Sequence, residues 1–211
     1  MNKFLSIVLV VLSFTGCNIA DRKYFTGTIQ YTYTYTSDSW NVDSLSKTRP
    51  FKSLQRYDTV NYQSKFVSND DTTAYYYSGT LNQCLSRTNS FGQLTCEDYS
   101  AFTDSVVSYR LIDTDEKILG YRCKILEIQK KNSWLRYYVS NDLKVAPATY
   151  RRHASYNWDF YGEKANGGLI LRSEHRFKYF TMKGIATTIN KSNSHFKALE
   201  IDEGLFARYC K

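Results

Sequence analysis

Residues that break regular structure are scarce: 2 prolines and 10 glycines in a chain of 211. No internal repeat or low-complexity linker interrupts it, so a single domain is the simplest organisation. Histidine is rarer still, with 3 copies. None lies near a cysteine and no C-x₂-C occurs, so the spacing excludes a zinc site. There is no G-x-S-x-G, no H-E-x-x-H and no glycine-rich phosphate loop. His153, His175 and His195 stand apart from one another, and Glu174 and His175 face opposite ways if they share a strand. Acid pairs such as Asp70–Asp71 and Glu97–Asp98 fall at expected turns or strand ends. These absences argue against an enzyme, and neither cofactor nor metal is expected.

Long apolar runs are missing as well. The clearest, Phe4–Leu12, is too short to span a bilayer, which takes about 20 residues. It follows Lys3 and leads into Ser13-Phe14-Thr15-Gly16, the layout of a secretory signal. The Gly16-Cys17 step resembles the lipobox of bacterial lipoproteins, with Phe14 where leucine is usual. The rival reading is ordinary cleavage with Cys17 as a half-cystine. The resemblance implies a signal over 1–16, cleavage before Cys17, acyl chains on that residue and a tether over 17–23. Two or more acyl chains anchor stably. Asn18 in place of aspartate points to the outer membrane, and "IADRKY" lacks the acidic cluster of surface export, which favours the periplasmic face.

The other four cysteines are Cys84, Cys96, Cys123 and Cys210. An even number in an exported chain suggests two disulfides, with three connectivities open. Cys84–Cys96 across a hairpin and Cys123–Cys210 as a tail staple are the expected pairs, with free buried thiols the alternative. Net charge is +8. The basic residues are dispersed, and "KNSWLRYY" and "YRRH" are too short to read as arms. Solubility and a mild preference for anionic surfaces follow. Nucleic acid is not an expected partner of a protein outside the cytoplasm.

What the chain has in abundance is aromatic surface: 16% of residues, including 19 Tyr and 12 Phe. In "YFTGTIQYTYTYT", Phe25, Ile29, Tyr31, Tyr33 and Tyr35 alternate with threonines and Gln30, as in a long antiparallel strand with one wet face. Asp43 or Ser44 is placed to cap a short helix ending before Pro50. Strands are expected over Val60–Ser68, Thr72–Leu81, Gln83–Ser86, Gly92–Tyr99, Ile118–Gln129, Trp134–Ser140, Leu169–Phe177, Thr181–Asn190 and Phe196–Ile201, with "FTDSVVSYRLI" a looser one. In "ILGYRCKILEI", Leu119, Tyr121, Cys123 and Ile125 share a face. "NGG" at 166–168 and "MKG" at 182–184 read as turn or bulge glycines. "ATYRRHASYNWDFYGEK" reads as a helix or an aromatic loop. About ten strands with few helices leave a sandwich, a closed barrel or a curved open sheet.

Four landmarks in order, "FTGTIQYTYTYT", "EKILGYRCKILEI", "WLRYYVSNDLKVAP" and "NGGLILRSE", with "ALEIDEGLF" at the end, resemble the GLPGLI-type and related uncharacterised lipoprotein domains of Bacteroidetes-like bacteria. The likeness covers roughly 24–206. It implies an architecture similar to LolA and LolB: a mainly β domain over 24–211, a single strongly curved antiparallel half-barrel with one or two short helices around an apolar cavity. No catalytic set belongs to that pattern. Gly120, Tyr121 and Cys123 match its motif best, as a turn glycine, a core aromatic and a disulfide partner. Tyr156, Trp158, Phe160 and Tyr161 form the least strand-like aromatic cluster and, with Tyr121, are the candidates for lining a cavity. The expected function is a membrane-anchored lipoprotein holding a lipid or other apolar ligand. The alternative is an interaction lipoprotein with a filled core that meets envelope proteins or glycans through its outer face.

Overall fold

Alternating tyrosine and threonine make β1 (Gly27–Thr36) the spine of the molecule: Ile29, Tyr31 and Tyr35 are buried and the intervening Gln30, Thr32, Thr34 and Thr36 are exposed. In the computed structural model, which describes residues 24–88, 92–101, 104–146, 150–192 and 203–210, this strand lies inside one large antiparallel sheet. Its companions are β2 (Lys52–Tyr57), β3 (Tyr62–Val67), β4 (Thr72–Ser78), β5 (Gln83–Thr88), β6 (Leu94–Asp98), β7 (Val106–Ile118), β8 (Tyr121–Lys130), β9 (Trp134–Lys144), β10 (Gly168–Arg176) and β11 (Thr181–Lys191). The order is β6-β5-β4-β3-β2-β1-β11-β10-β9-β8-β7. Two meanders, β1–β6 and β7–β11, are thus joined where the first strand meets the last. Among the described residues the sheet is open, with β6 and β7 at its edges.

Helices are few and short: α1 (Val42–Thr48), α2 (Trp158–Lys164) and α3 (Glu203–Tyr209), with a 3₁₀ turn over Ser155–Asn157 before α2. Among the described residues no helix is long and apolar enough to cross a membrane. α1 starts ahead of the expected cap because Asn41 Oδ1 accepts from the Ser44 amide at 2.9 Å, a strong N-cap arrangement. The stretch 150–164 lies against one face of the sheet. Tyr150, His153 and Trp158 meet Tyr62, whereas Tyr161 packs with Leu126, Ile128, Leu135, Tyr137 and Val139. Both meanders therefore share this one covering segment.

Several expectations change. The sheet has eleven strands among the described residues, and β2, with its polar "KSLQRY", is one that alternation does not reveal. Leu119 and Gly120 have φ of 50° and 84° and turn the chain between Ile118 and Tyr121, which pair. This is a two-residue hairpin turn, for which positive φ at both central positions is diagnostic. Leu119-Gly120 is therefore a turn between β7 and β8, and Leu119 does not share a strand face with Tyr121. The Phe196–Ile201 strand, His195, the signal segment and Cys17 lie outside the described residues.

Both expected disulfides are replaced by one other. In the β5–β6 hairpin Cys96 stands opposite Leu85, and Cys84 opposite Glu97. A one-residue offset puts Cys84 and Cys96 on opposite faces of the sheet. Cys96 instead bonds Cys210, Cα–Cα 5.2 Å, and fastens α3 to the edge strand. Cys84 and Cys123 are free and buried. Burial pushes the Cys84 thiol up to about 12 and also raises Cys123.

Candidate functional site

Cross-strand register places the large and small side chains of the inner face in rows. One row runs Gly27, Tyr57, Tyr62, Tyr77, Cys84 across β1–β5. Its rings are in contact, Tyr57–Tyr62 at 6.2 Å and Tyr62–Tyr77 at 5.0 Å. They support the covering segment through His153, whose ring lies 4.6 Å from Tyr77 and 4.5 Å from Tyr99. The next inner row is Ile29, Gln55, Ser64, Tyr75, Ser86, and the one beyond includes Ser53, Phe66 and Thr73. Small polar side chains there cannot fill the space that the tyrosine row opens. A cavity of about 420 Å³ results, lined by residues that include Gln55, Ser64, Phe66, Thr73, Tyr75 and Trp158.

A second cavity of about 400 Å³ lies towards the other meander, under Tyr31, Tyr57, Tyr137, Tyr161, Leu169 and Ile170. Gln55, Phe66, Tyr156 and Trp158 line both, so the two are chambers on either side of this shared wall. Most phenol groups around them are occupied: Tyr31 donates to the Ile170 carbonyl at 2.7 Å, Tyr33 meets Ser53 Oγ at 2.8 Å, and Tyr161 donates to the Gly168 carbonyl. Burial raises their pKa values, Tyr33 to about 12 and Tyr31, Tyr57 and Tyr161 further. These are neutral, bonded phenols that present ring faces to the cavity.

Gly184 on β11 is neither turn nor bulge. It pairs with Tyr33, and an added Cβ would stand 2.8 Å from the Tyr33 ring and 3.0 Å from Ser173 Oγ. Its missing side chain gives the ring its seat.

Two consecutive residues in the left-handed region, Tyr156 (φ 57°) and Asn157 (φ 59°), set the geometry of the covering segment. A tyrosine rarely adopts that conformation. The turn leaves Tyr156 61% exposed and tucks Trp158 against Tyr62 and His153, each at 5.5 Å. The segment is fastened on its far side by Asn82 Nδ2 to the Arg152 carbonyl, 2.9 Å, and by the Ala154 amide to the Tyr99 carbonyl, 2.8 Å.

Of the five aromatic candidates, Tyr156 and Trp158 line both chambers and Tyr161 the second. Phe160 packs against Tyr109 at 5.3 Å and lines neither. Tyr121, half-buried against the main core, carries Lys191 over its ring and lies away from both.

Sequence reasoning missed Lys130 and His175, which line the second chamber together with Ser133 and Asp104. The signal was present in β8: Leu126, Ile128 and Lys130 have one parity, and the first two are fully buried. Burial pushes the Lys130 ammonium below its ordinary value while the Asp104 charge opposes that change. His175 is pushed down to about 4, first by burial and then by Lys130.

No metal-binding group of His, Cys, Asp or Glu occurs among the described residues. No family model matches the chain, and no curated protein matches it. Solved structures similar to it include PNGF-II in two crystal forms, C2 and P21. The TM-score is 0.46 in both, with 13% and 12% identity over 80% of this chain and 28% and 29% of that one. The chain thus spans under a third of PNGF-II, and at this similarity no residue role transfers.

Proposed function

We propose that this chain is an outer-membrane lipoprotein, anchored through Cys17, that holds an apolar or amphipathic ligand. The ligand lies on the concave side of a curved, LolA/LolB-like half-barrel, beneath the segment 150–164. One observation carries the reading: the two chambers, about 420 and 400 Å³, fall within the range of ligand sites. The second is walled mainly by aromatic and aliphatic side chains with a few polar groups, as such sites require, and the first by aromatic rings interspersed with small polar side chains. The anchor and the periplasmic placement rest on the sequence around Cys17, and the GLPGLI-type resemblance belongs to the same proposal.

Native mass spectrometry of the purified protein tests the ligand. A co-purifying lipid mass is expected, lost in Trp158→Ala while circular dichroism stays native. A ligand-free mass for the parent protein, with no uptake of the neutral probe N-phenyl-1-naphthylamine, overturns it.

The alternative role, contact with envelope proteins or glycans through the outer surface, is favoured by an exposed aromatic platform. Trp40 and Tyr179, each 44% exposed, stack at 5.3 Å, a geometry suited to sugar rings. Trp40→Ala abolishing glycan retention, with probe uptake unchanged, would place the function there.

A further inference from the structure

Taking the cavity to hold a ligand, as proposed above, we infer that its first chamber takes a neutral, hydroxyl-bearing ring of the sugar class. The inner face of β3 alternates rings with hydroxyls: Tyr62, Ser64, Phe66 and, just past the strand, Ser68 all line the chamber. β4 offsets the same alternation by one row, so Tyr75 stands opposite Ser64 and Thr73 opposite Phe66. Rings and hydroxyls therefore form a checkerboard. Phe66 meets Tyr75 at 5.8 Å and 86°, and these two rings make a corner in it. A sugar ring has the matching surface, with C–H faces that rest on aromatic rings and hydroxyls around its edge.

The polar groups of this wall are left open by the protein. Ser64 is 6% exposed, and its hydroxyl meets no donor or acceptor among the described residues. The Tyr75 hydroxyl and the Trp158 indole N–H are likewise unbonded among the described residues. Gln55 accepts from the Tyr57 hydroxyl through Oε1, which leaves its amide nitrogen to donate. A buried hydroxyl without a partner is costly, and a ligand hydroxyl, donor and acceptor at once, would satisfy it. Charge selects against other heads. No Lys, Arg or His lines the chamber among the described residues, and Asp71 is its one charged lining residue. An anionic head would be buried there without a counter-charge. A quaternary ammonium would meet rings and a carboxylate, yet it neither donates nor accepts the hydrogen bonds that Ser64, Tyr75 and Gln55 offer. Gln55, Phe66 and Trp158 also line the second chamber, so an alkyl chain on the sugar would continue there over Tyr31, Tyr57 and Leu169.

The test is isothermal titration of the full chain with octyl β-D-glucoside, octanol, octyl phosphate and octyltrimethylammonium, each below its micelle-forming concentration. The glucoside should bind about tenfold more tightly than the alcohol, the scale of one or two neutral hydrogen bonds, and more tightly than either charged amphiphile. Methyl β-D-glucoside separates the sources: affinity equal to that of the octyl glucoside identifies a free sugar, and much weaker binding identifies a glycolipid. The double variant Ser64→Ala/Tyr75→Phe removes two hydroxyls and breaks no hydrogen bond within the described protein. It should abolish the preference for glucoside over octanol without lowering the melting temperature, whereas Trp40→Ala, on the outer platform, should keep that preference. Equal binding of glucoside and octanol by the parent protein, with water alone satisfying these hydroxyls, overturns the inference. Tighter binding of a charged amphiphile, a preference that persists in the double variant or one lost in Trp40→Ala overturns it too. If the double variant does not fold, the parent comparison alone decides. Binding of none of the four octyl compounds removes the cavity reading itself, an outcome distinct from binding without head-group preference.

Discussion

His153 is wholly buried between the rings of Tyr62, Tyr77, Tyr99 and Trp158. Its Nε2 meets the Tyr62 hydroxyl at 2.8 Å, and its Nδ1 has no hydrogen-bond partner among the described residues. Burial holds its pKa at about 3, far under the ordinary 6.5. A base depressed in the folded state contributes its full stability above about 6.5, because neither state then binds the proton. As pH falls towards 3 the unfolded chain takes up the proton first and that contribution is lost. Each unit removes up to about 1.4 kcal/mol. The melting temperature should therefore fall steeply between pH 6.5 and 4, and His153→Phe should flatten that limb while lowering stability at pH 7 by unpairing Tyr62. Parallel pH profiles for the two proteins would refute this. That His153 sits inside a ring cage was not legible, because the cage is assembled by rows from β3, β4 and the Tyr99 turn.

Secondary-structure elements were legible wherever one face is wet. β1 reads directly from its tyrosines and threonines. β2 does not, since Lys52, Gln55 and Arg56 give it little apolar alternation; it is a strand because β1 and β3 flank it. Cysteine spacing misled for a related reason, since spacing says nothing of the face on which each thiol emerges. The bond that forms, Cys96–Cys210, ties the end of α3, whose Phe206 is buried, to the edge strand β6. It closes a separation of 114 residues, worth about 4–5 kcal/mol in the chain-entropy model. Cys210→Ser should lower unfolding stability by that order in denaturant titration, and hydrogen exchange should show β5 and β6 losing protection before β8–β10. Uniform loss across the sheet would contradict this assignment. α3 and β6 contribute no residue to the second chamber, so binding there should outlast the destabilisation.

At the scale of the whole molecule, the sequence made a mainly β, antiparallel architecture legible, because face alternation recurs along the chain. Strand order was not legible, since alternation reveals which face is buried and never which strand lies beside which. The cavity was legible only in part. Tyr156, Trp158 and Tyr161 announced themselves as aromatics outside a strand pattern, whereas the void itself depends on small side chains such as Ser64 and Thr73 falling in adjacent rows.

The pairing of the first strand with the last has a consequence for how the molecule comes into being. Each meander is built from neighbours in sequence, so β2–β6 and β7–β10 are able to zip locally and early. The β1–β11 seam joins opposite ends of the sheet's chain and must wait for both. Pulse-labelling hydrogen exchange during refolding should find β1 and β11 amides protected last; simultaneous protection throughout would argue for one cooperative nucleus. Until that seam zips, the inner tyrosines of both halves face water. A chain still emerging from synthesis would then have no cavity, and a holding chaperone would find an aromatic face displayed just before β11 arrives.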